Sequence, residues 1–339
     1  MSDGLVFVQT NEPENAVVVF RRAADGALMQ AGSQRTGGAG DGEPHLTSQG
    51  SVVLTGDGRH LLVTNAASDD VSVLAVSGDG NLQLAGRSAA GPAPKSIAER
   101  DGLVYVLSTV APAVSGFRLR EQGLEALPGQ EPVPLGAHAD PAQVGFTPDG
   151  SALIVTERGT NSITTIPLSA DGTAGSPQST PSSGPTPYGF AVTSGGILVV
   201  TEAFGAHKGA AAASSYSVDG ATLTPVTKSA GNGRSEICWA VVTPDGRYAF
   251  TTNFADGAVS CYSIRPDGGL VLQDAAAGIA VEGQPGLRDE GLSADGRYLY
   301  AIDADSGSIY AWAVRENGSL SALGSWGGLP VTVAGLAAS

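Results

Sequence analysis

The stretch Gln143–Gly172, QVGFTPDGSALIVTERGTNSITTIPLSADG, holds two Asp-Gly turns, Asp149-Gly150 and Asp171-Gly172, with two strand-like segments between them. Asp-Gly supplies the positive φ that a tight hairpin needs, so each turn marks a hairpin. Outward from this stretch the pair recurs seven times in the same order. The first turns are Asp3-Gly4, Asp57-Gly58, Asp101-Gly102, Asp149-Gly150, Gly195-Gly196, Asp245-Gly246 and Asp295-Gly296. The second turns are Asp25-Gly26, Asp79-Gly80, Gln122-Gly123, Asp171-Gly172, Asp219-Gly220, Asp267-Gly268 and Asn317-Gly318. The repeat is 43 to 54 residues long, with 21 to 24 residues between the two turns of one repeat. Four antiparallel strands in a repeat of this length predict an all-β fold, a seven-bladed β-propeller.

Between the turns, a strand ending in a polar residue (Leu61–Asn65, Leu153–Glu157) is followed by an alternating one (Val71–Val76, Ile309–Val314). A strand of small and apolar residues such as Gln143–Phe146 or Trp239–Val242 precedes the first turn and suits the crowded centre of a ring. The chain opens at a first-type turn with no inner strand before it. It finishes on Val331–Leu336, an inner strand with no blade after it. Joined, the two ends complete a seventh blade and leave no unpaired central edge. One β-propeller domain over residues 1–339 is therefore expected.

The chain has 48 glycines, 42% hydrophobic and 15% charged residues, as befits a loop-rich β protein. A net charge of −15 argues against a nucleic-acid partner, which needs a basic stripe. The carboxylates are scattered through turns and read as solvated surface. Cys238 and Cys261 have neither CxxC spacing nor a histidine pattern, so both read as packing thiols, Cys238 the more interesting because it opens an inner strand. Met1–Leu5 shows no charged-then-apolar leader, and no run is apolar enough to cross a membrane; a cytoplasmic protein without membrane contact is expected.

Antiparallel order puts both sets of tight turns on one face of the disc and the longer, uneven connections on the other, where function is to be sought. Two insertions stand out there, 33–49 and 203–213, carrying His45 and His207. The second strands end in Asn11, Asn65, Ser108, Glu157, Glu202, Asn253 and Asp303. Asn and Asp bond their own turn backbone and read as scaffold; Glu157 and Glu202 stand apart because Glu is a poor turn-former. The inner strands begin at Gln49, Lys95, Gln143, Tyr188, Trp239 and Arg288-Asp289. An aromatic, amides and a guanidinium around one mouth suit a small polar or anionic ligand, against the plainer alternatives of channel filling and an Arg288–Asp289 ion pair. His138, near Asp140, is a candidate general base or rim contact. P-loop, GxGxxG, HExxH and GxSxG patterns do not occur, and no cofactor is expected.

The run Pro141–Gly150 through Val155–Asn161, with Thr243–Tyr248 and Ser293–Tyr300, resembles the seven-bladed lactonase family of 6-phosphogluconolactonases and carboxymuconate cyclases, and also YVTN-type propellers. The resemblance implies site roles for Glu236, in Ser235-Glu236-Ile237 (family A-E-I), and Arg288, in Gly286-Leu287-Arg288-Asp289 (family P-R-D-F). The family's His-Pro-His appears as Ala139–Gln143, with His138 just upstream. Its G-P-R-H appears as Gly184-Pro185-Thr186-Pro187, which carries no charge, and its Asn-Glu matches Thr201-Glu202 or Glu202-Ala203.

Three readings follow. In the first, an enzyme opens or forms a lactone, or moves a proton beside a carbonyl. Arg288 holds a carboxylate or oxyanion, Glu236 or His138 moves the proton, and Gln49, Lys95, Gln143, Tyr188, Glu202, Trp239, Asp289 and His207 contact a small-molecule substrate. In the second, a non-catalytic propeller binds a small ligand or partner protein on the same face. In the third, the strand-end carboxylates and amides hold Ca²⁺, against which their even spread around the ring argues.

Overall fold

The computed structural model describes residues 4–44 and 46–339; Asp3, in the first turn, and His45, in the first insertion, lie outside them. Seven antiparallel sheets form the blades of the ring, each running from an inner strand to an outer one. Blades 2 to 7 begin with the inner strands Val52–Leu54, Pro94–Arg100, Pro141–Phe146, Pro187–Val192, Ile237–Val242 and Leu287–Leu292. In blade 3 the outer strand is split into Gly123–Ala126 and Val133–Pro134. Among the described residues the only helical segments are two single 3₁₀ turns, Phe204–Ala206 and Phe254–Asp256.

Blade 1 is assembled from both ends of the chain. Ala334–Ala338 pairs with Gly4–Gln9, matching Val8 with Leu336 and Val6 with Ala338. The Ser339 N–H donates to Leu5 O at 2.9 Å, and Thr332 Oγ1 to Thr10 O at 2.7 Å. The closing strand starts three residues later than the apolar run from Val331 suggests. A turn, Val333 N–H to Pro330 O at 3.1 Å, occupies its first residues, and Gly335 at φ 76° breaks the ladder register near Val8.

The turn chemistry explains why the repeat folds locally. Asp149 accepts from Thr147 Oγ1 at 2.7 Å and from the Ser151 N–H at 3.1 Å, while Gly150 takes φ 73°. Asp57, Asp245 and Asp295 make the same pair of contacts in their own turns. Such hydrogen bonds favour the charged carboxylate, and they hold Asp171 in the second series down at about 2. The cores lie between neighbouring sheets; Tyr105, Leu107, Val144, Leu153, Val155 and Ile166 fill one of them. Buried tyrosines fasten a sheet to the next blade's turn, as where Tyr105 Oη donates to Gly172 O and Tyr300 Oη to Gly26 O.

Candidate functional site

The uneven face is shaped by a backbone device that recurs from blade to blade. The residue just before the inner strand is left-handed in four blades without being glycine: Ala93 at φ 50°, Asp140 at 43°, Thr186 at 58° and Glu236 at 53°. Each such residue costs about 1 kcal/mol. The turn is followed at once by a break in the ladder, between Pro94 and Ser96, Pro141 and Gln143, Pro187 and Phe190, Ile237 and Ala240, and Leu287 and Glu290. The residues skipped are Lys95, Ala142, Tyr188, Cys238, Trp239, Arg288 and Asp289, with Gly189. A bulge takes residues out of register and re-aims their side chains, a common arrangement beside active sites.

Blades 4 to 7 bring these residues together. Ala142, Tyr188, Ala203, Cys238 and Trp239 form one buried cluster against Phe254, with the Tyr188 and Trp239 rings 5.6 Å apart. The Arg288 guanidinium sits 5.4 Å from the Phe254 ring centroid, and that of Arg158 4.9 Å from the Tyr188 ring. Arg288 is 3% exposed. Its Nε and Nη1, and the Tyr188 hydroxyl, are buried with no hydrogen-bond partner among the described residues.

The electrostatics follow from burial. Desolvation lowers the Arg288 pKa, while Asp305, Asp289, Tyr188 and Asp303 pull it back up; a guanidinium so placed remains charged. Burial pushes the Tyr188 hydroxyl and Cys238 thiol up, so both keep their protons near neutrality. Cys238 is thereby a packing thiol, its Sγ donating to Glu236 O at 3.4 Å. Glu236 is half-buried, and desolvation, with Asp256 adding repulsion, raises its carboxyl pKa. The mouth therefore offers buried donors that lack an acceptor and a carboxylate whose proton affinity is raised.

Other expected site residues are committed elsewhere. The Gln49 amide donates to Ala240 O at 2.8 Å and accepts from the Ala240 N–H at 3.1 Å. It reaches across the axis from blade 2 to blade 6 over Gly189, where a Cβ would meet Gln49 Oε1 at 2.3 Å. Trp239 Nε1 donates to Ser48 O at 3.2 Å along the same path. Gln143 pins blade 5 by bonding both the N–H and O of Phe190. These two amides are committed to blade-to-blade contacts and are spent as ligand contacts. They line a cavity of about 350 Å³ together with Asp289 and Glu290 among others. Asp289 thus belongs to the channel, where it accepts from the Gly335 N–H at 3.0 Å. Lys95 is at the blade 3 side of the mouth, 3.3 Å from Asp41.

Glu157 and Glu202 prove to be scaffold like the rest of the strand-end ring. Glu202 is fully buried and accepts from the Gly184 N–H at 2.7 Å and from Ser214 and Ser229 at 2.6 Å each. Glu157 accepts from Thr160 at 2.7 Å and Thr164 at 2.6 Å. Asn65 and Asn253 reach the same third-strand hydroxyl position, Ser72 and Ser260, at 2.8 and 2.9 Å, a role that does not require a turn-forming residue. Glu202→Ala is expected to cost about 2 kcal/mol by stranding these donors, read as a lower urea midpoint. An unchanged midpoint would contradict the scaffold assignment.

Both described candidate histidines are exposed. His138 shares its loop with Asp140, but the Asp140 carboxylate takes the Arg158 guanidinium at 2.6 Å instead. His207 bonds Phe204 O at 2.6 Å within its own turn. Among the described residues no hydrogen bond joins either to Arg288, Tyr188 or Glu236. Arg158 and Phe254 are the additions that sequence reasoning missed. Each follows a strand-end residue, Glu157 or Asn253, and reaches the next blade's bulge. A guanidinium in a chain with only 18 basic residues was the available signal.

A seven-bladed β-propeller lactonase family model matches residues 98–207 and 201–327. Among solved structures, a candidate 6-phosphogluconolactonase of Bacteroides uniformis superposes with a TM-score of 0.77 at 18% identity, covering 98% of this chain and 99% of its own. A periplasmic gluconolactonase of Pseudomonas aeruginosa gives 0.73 at 18% identity, covering 98% of both chains. At such identities these likenesses speak for the fold alone. No curated protein matches the sequence. With the family model spanning most of blades 3 to 7, this chain belongs to the seven-bladed β-propeller lactonases.

Proposed function

We propose that the mouth formed by blades 4 to 7 hydrolyses, or in reverse closes, the lactone ring of a small anionic substrate. The observation that carries the reading is Arg288, a buried guanidinium whose Nε and Nη1 have no acceptor among the described residues. Buried donors left unpaired cost stability, and a ligand oxygen that develops negative charge offsets this. In hydrolysis, water adds to the lactone carbonyl while Glu236 takes its proton. The oxyanion forms against Arg288 and the Tyr188 hydroxyl. Collapse breaks the ring C–O bond, Glu236 returns its proton to the leaving alkoxide, the new carboxylic acid releases its remaining proton to solvent, and the carboxylate stays on Arg288. The raised proton affinity of Glu236 suits both transfers. Family membership supports the reaction class.

A pH-stat assay over aldonolactones with and without a carboxylate or phosphate tests this. The expected result is acid release that Glu236→Gln lowers at least tenfold. No turnover on any lactone, or turnover unaffected by that substitution, removes the reading. The exposed histidines favour one alternative, a propeller that binds the anion without turnover. It is distinguished by lactone or hydroxy-acid binding without acid release.

A further inference from the structure

Arg158 and Phe254 hold the same place in blades 4 and 6, yet their chemistry is exchanged. In blade 4 the cation comes just after the second strand and reaches the aromatic Tyr188 of blade 5. In blade 6 the aromatic comes just after the second strand and faces the cation Arg288 of blade 7. Two guanidiniums therefore lie within electrostatic reach of the Cys238 thiol, and both oppose its upward shift. The Arg158 side chain is only 14% exposed. It is anchored at its base, where its N–H donates to Asp140 O at 3.1 Å. Among the described residues its one carboxylate partner is the Asp140 side chain, which is 59% exposed on the rim. Ion pairs with so exposed a partner contribute roughly 0–1 kcal/mol, so an arriving anion displaces Asp140 at little cost. A planar fork held by stacking is also well placed for bidentate contact with a carboxylate or phosphate.

We infer that Arg158 is a second anion subsite, so that the mouth selects dianionic ligands, with the reacting carboxyl on Arg288 and a carboxylate or phosphate substituent on Arg158. This rests on the lactone reading and adds the substrate's second charge to it. Asp140 serves as the placeholder for that charge in the unliganded protein.

Titration calorimetry with three open-chain acids of like size tests the inference: gluconate, glucarate and 6-phosphogluconate. The wild-type protein is expected to bind one or both dianions at least tenfold more tightly than gluconate, with the advantage shrinking as salt is raised. The better of the two identifies the second group as carboxylate or phosphate. R158Q erases the advantage while gluconate affinity stays within threefold; R158K, which keeps the charge, retains part of it; D140N enlarges it severalfold. Gluconate binding with no dianion advantage in the wild type overturns the subsite and leaves the lactone reading standing. So does an R158Q protein that loses affinity for all three acids equally, since that marks a purely structural role in supporting Tyr188. Failure of all three acids to bind removes both.

Discussion

Arg288→Gln is expected to lower kcat/KM by about 100- to 1000-fold on any lactone the protein turns over, with little change or a rise in thermal stability. The two halves of this expectation share one cause. A guanidinium that is 3% exposed, with Nε and Nη1 unpartnered among the described residues, has lost water at those two atoms without regaining hydrogen bonds there. Its charge is offset at a distance by Asp289, Asp303 and Asp305 and by the face of Phe254. Gln sheds the charge, fills most of the space and relieves that cost, so the folded state does not suffer. The transition state does, because the donors aimed at the developing oxyanion are gone. Arg288→Lys keeps a cation but loses the planar fork, and should recover only a small part of the rate. Steady-state kinetics and calorimetry on the same preparations decide the matter. Full turnover in the Gln variant would falsify the anion-binding role, and a large drop in Tm would make Arg288 a structural residue.

The architecture was legible because its determinants are local and repeated. A turn such as Thr147-Pro148-Asp149-Gly150 carries its own hydroxyl–carboxylate–amide contacts and its left-handed glycine, so it announces itself wherever it falls. The two-ended closure followed from counting such turns. The mouth was half legible. Arg288, Tyr188 and Trp239 were singled out because they stand where the inner strands begin, and Glu236 through the family resemblance, but the strand-start position also holds Gln49 and Gln143. Whether an amide there is free depends on the blade opposite. Ala240 lies 191 residues from Gln49, and nothing near either residue signals the contact. The bulges were hidden for another reason. They rest on Ala93, Asp140, Thr186 and Glu236 adopting positive φ, where glycine would have advertised the conformation. Arg158 was missed because its target belongs to the next blade, and His138 was overvalued because closeness in sequence to Asp140 was taken for closeness of side chains.

The second large effect concerns stability against pH. The structure predicts a protein that loses stability between about pH 4 and pH 7 as the medium becomes less acidic. Asp289 is 3% exposed and Glu290 4% exposed, neighbours on one inner strand. Both carboxylate oxygens of Glu290 lack a hydrogen-bond partner among the described residues. Burial pushes Asp289 from its ordinary 3.8 up to about 7, against opposing pulls from the Gly335 N–H, Arg288 and Trp239. Burial, with repulsion from Asp289, carries Glu290 well above the usual range too. The sign follows from linkage. Between the unfolded and folded pKa values the native protein holds protons that the unfolded chain has released, so each step of one pH unit through that window costs about 1.4 kcal/mol per group. Asp289 alone accounts for up to about 4 kcal/mol, fully present below pH 4 and lost by pH 7. The turn aspartates act in the opposite direction at lower pH. Asp57, Asp149 and Asp245 are all held below the ordinary range, and stability falls as they are protonated. Maximum stability is therefore expected on the acid side of neutrality, near pH 4 to 5. Calorimetry from pH 5 to 8 should show Tm descending in the wild type. D289N, which retains an acceptor for the Gly335 N–H, should flatten the descent, and E290Q should raise Tm most at the alkaline end. A level wild-type profile over that range, or an undiminished slope in D289N, would mean that water or a cation in the channel already satisfies this pair.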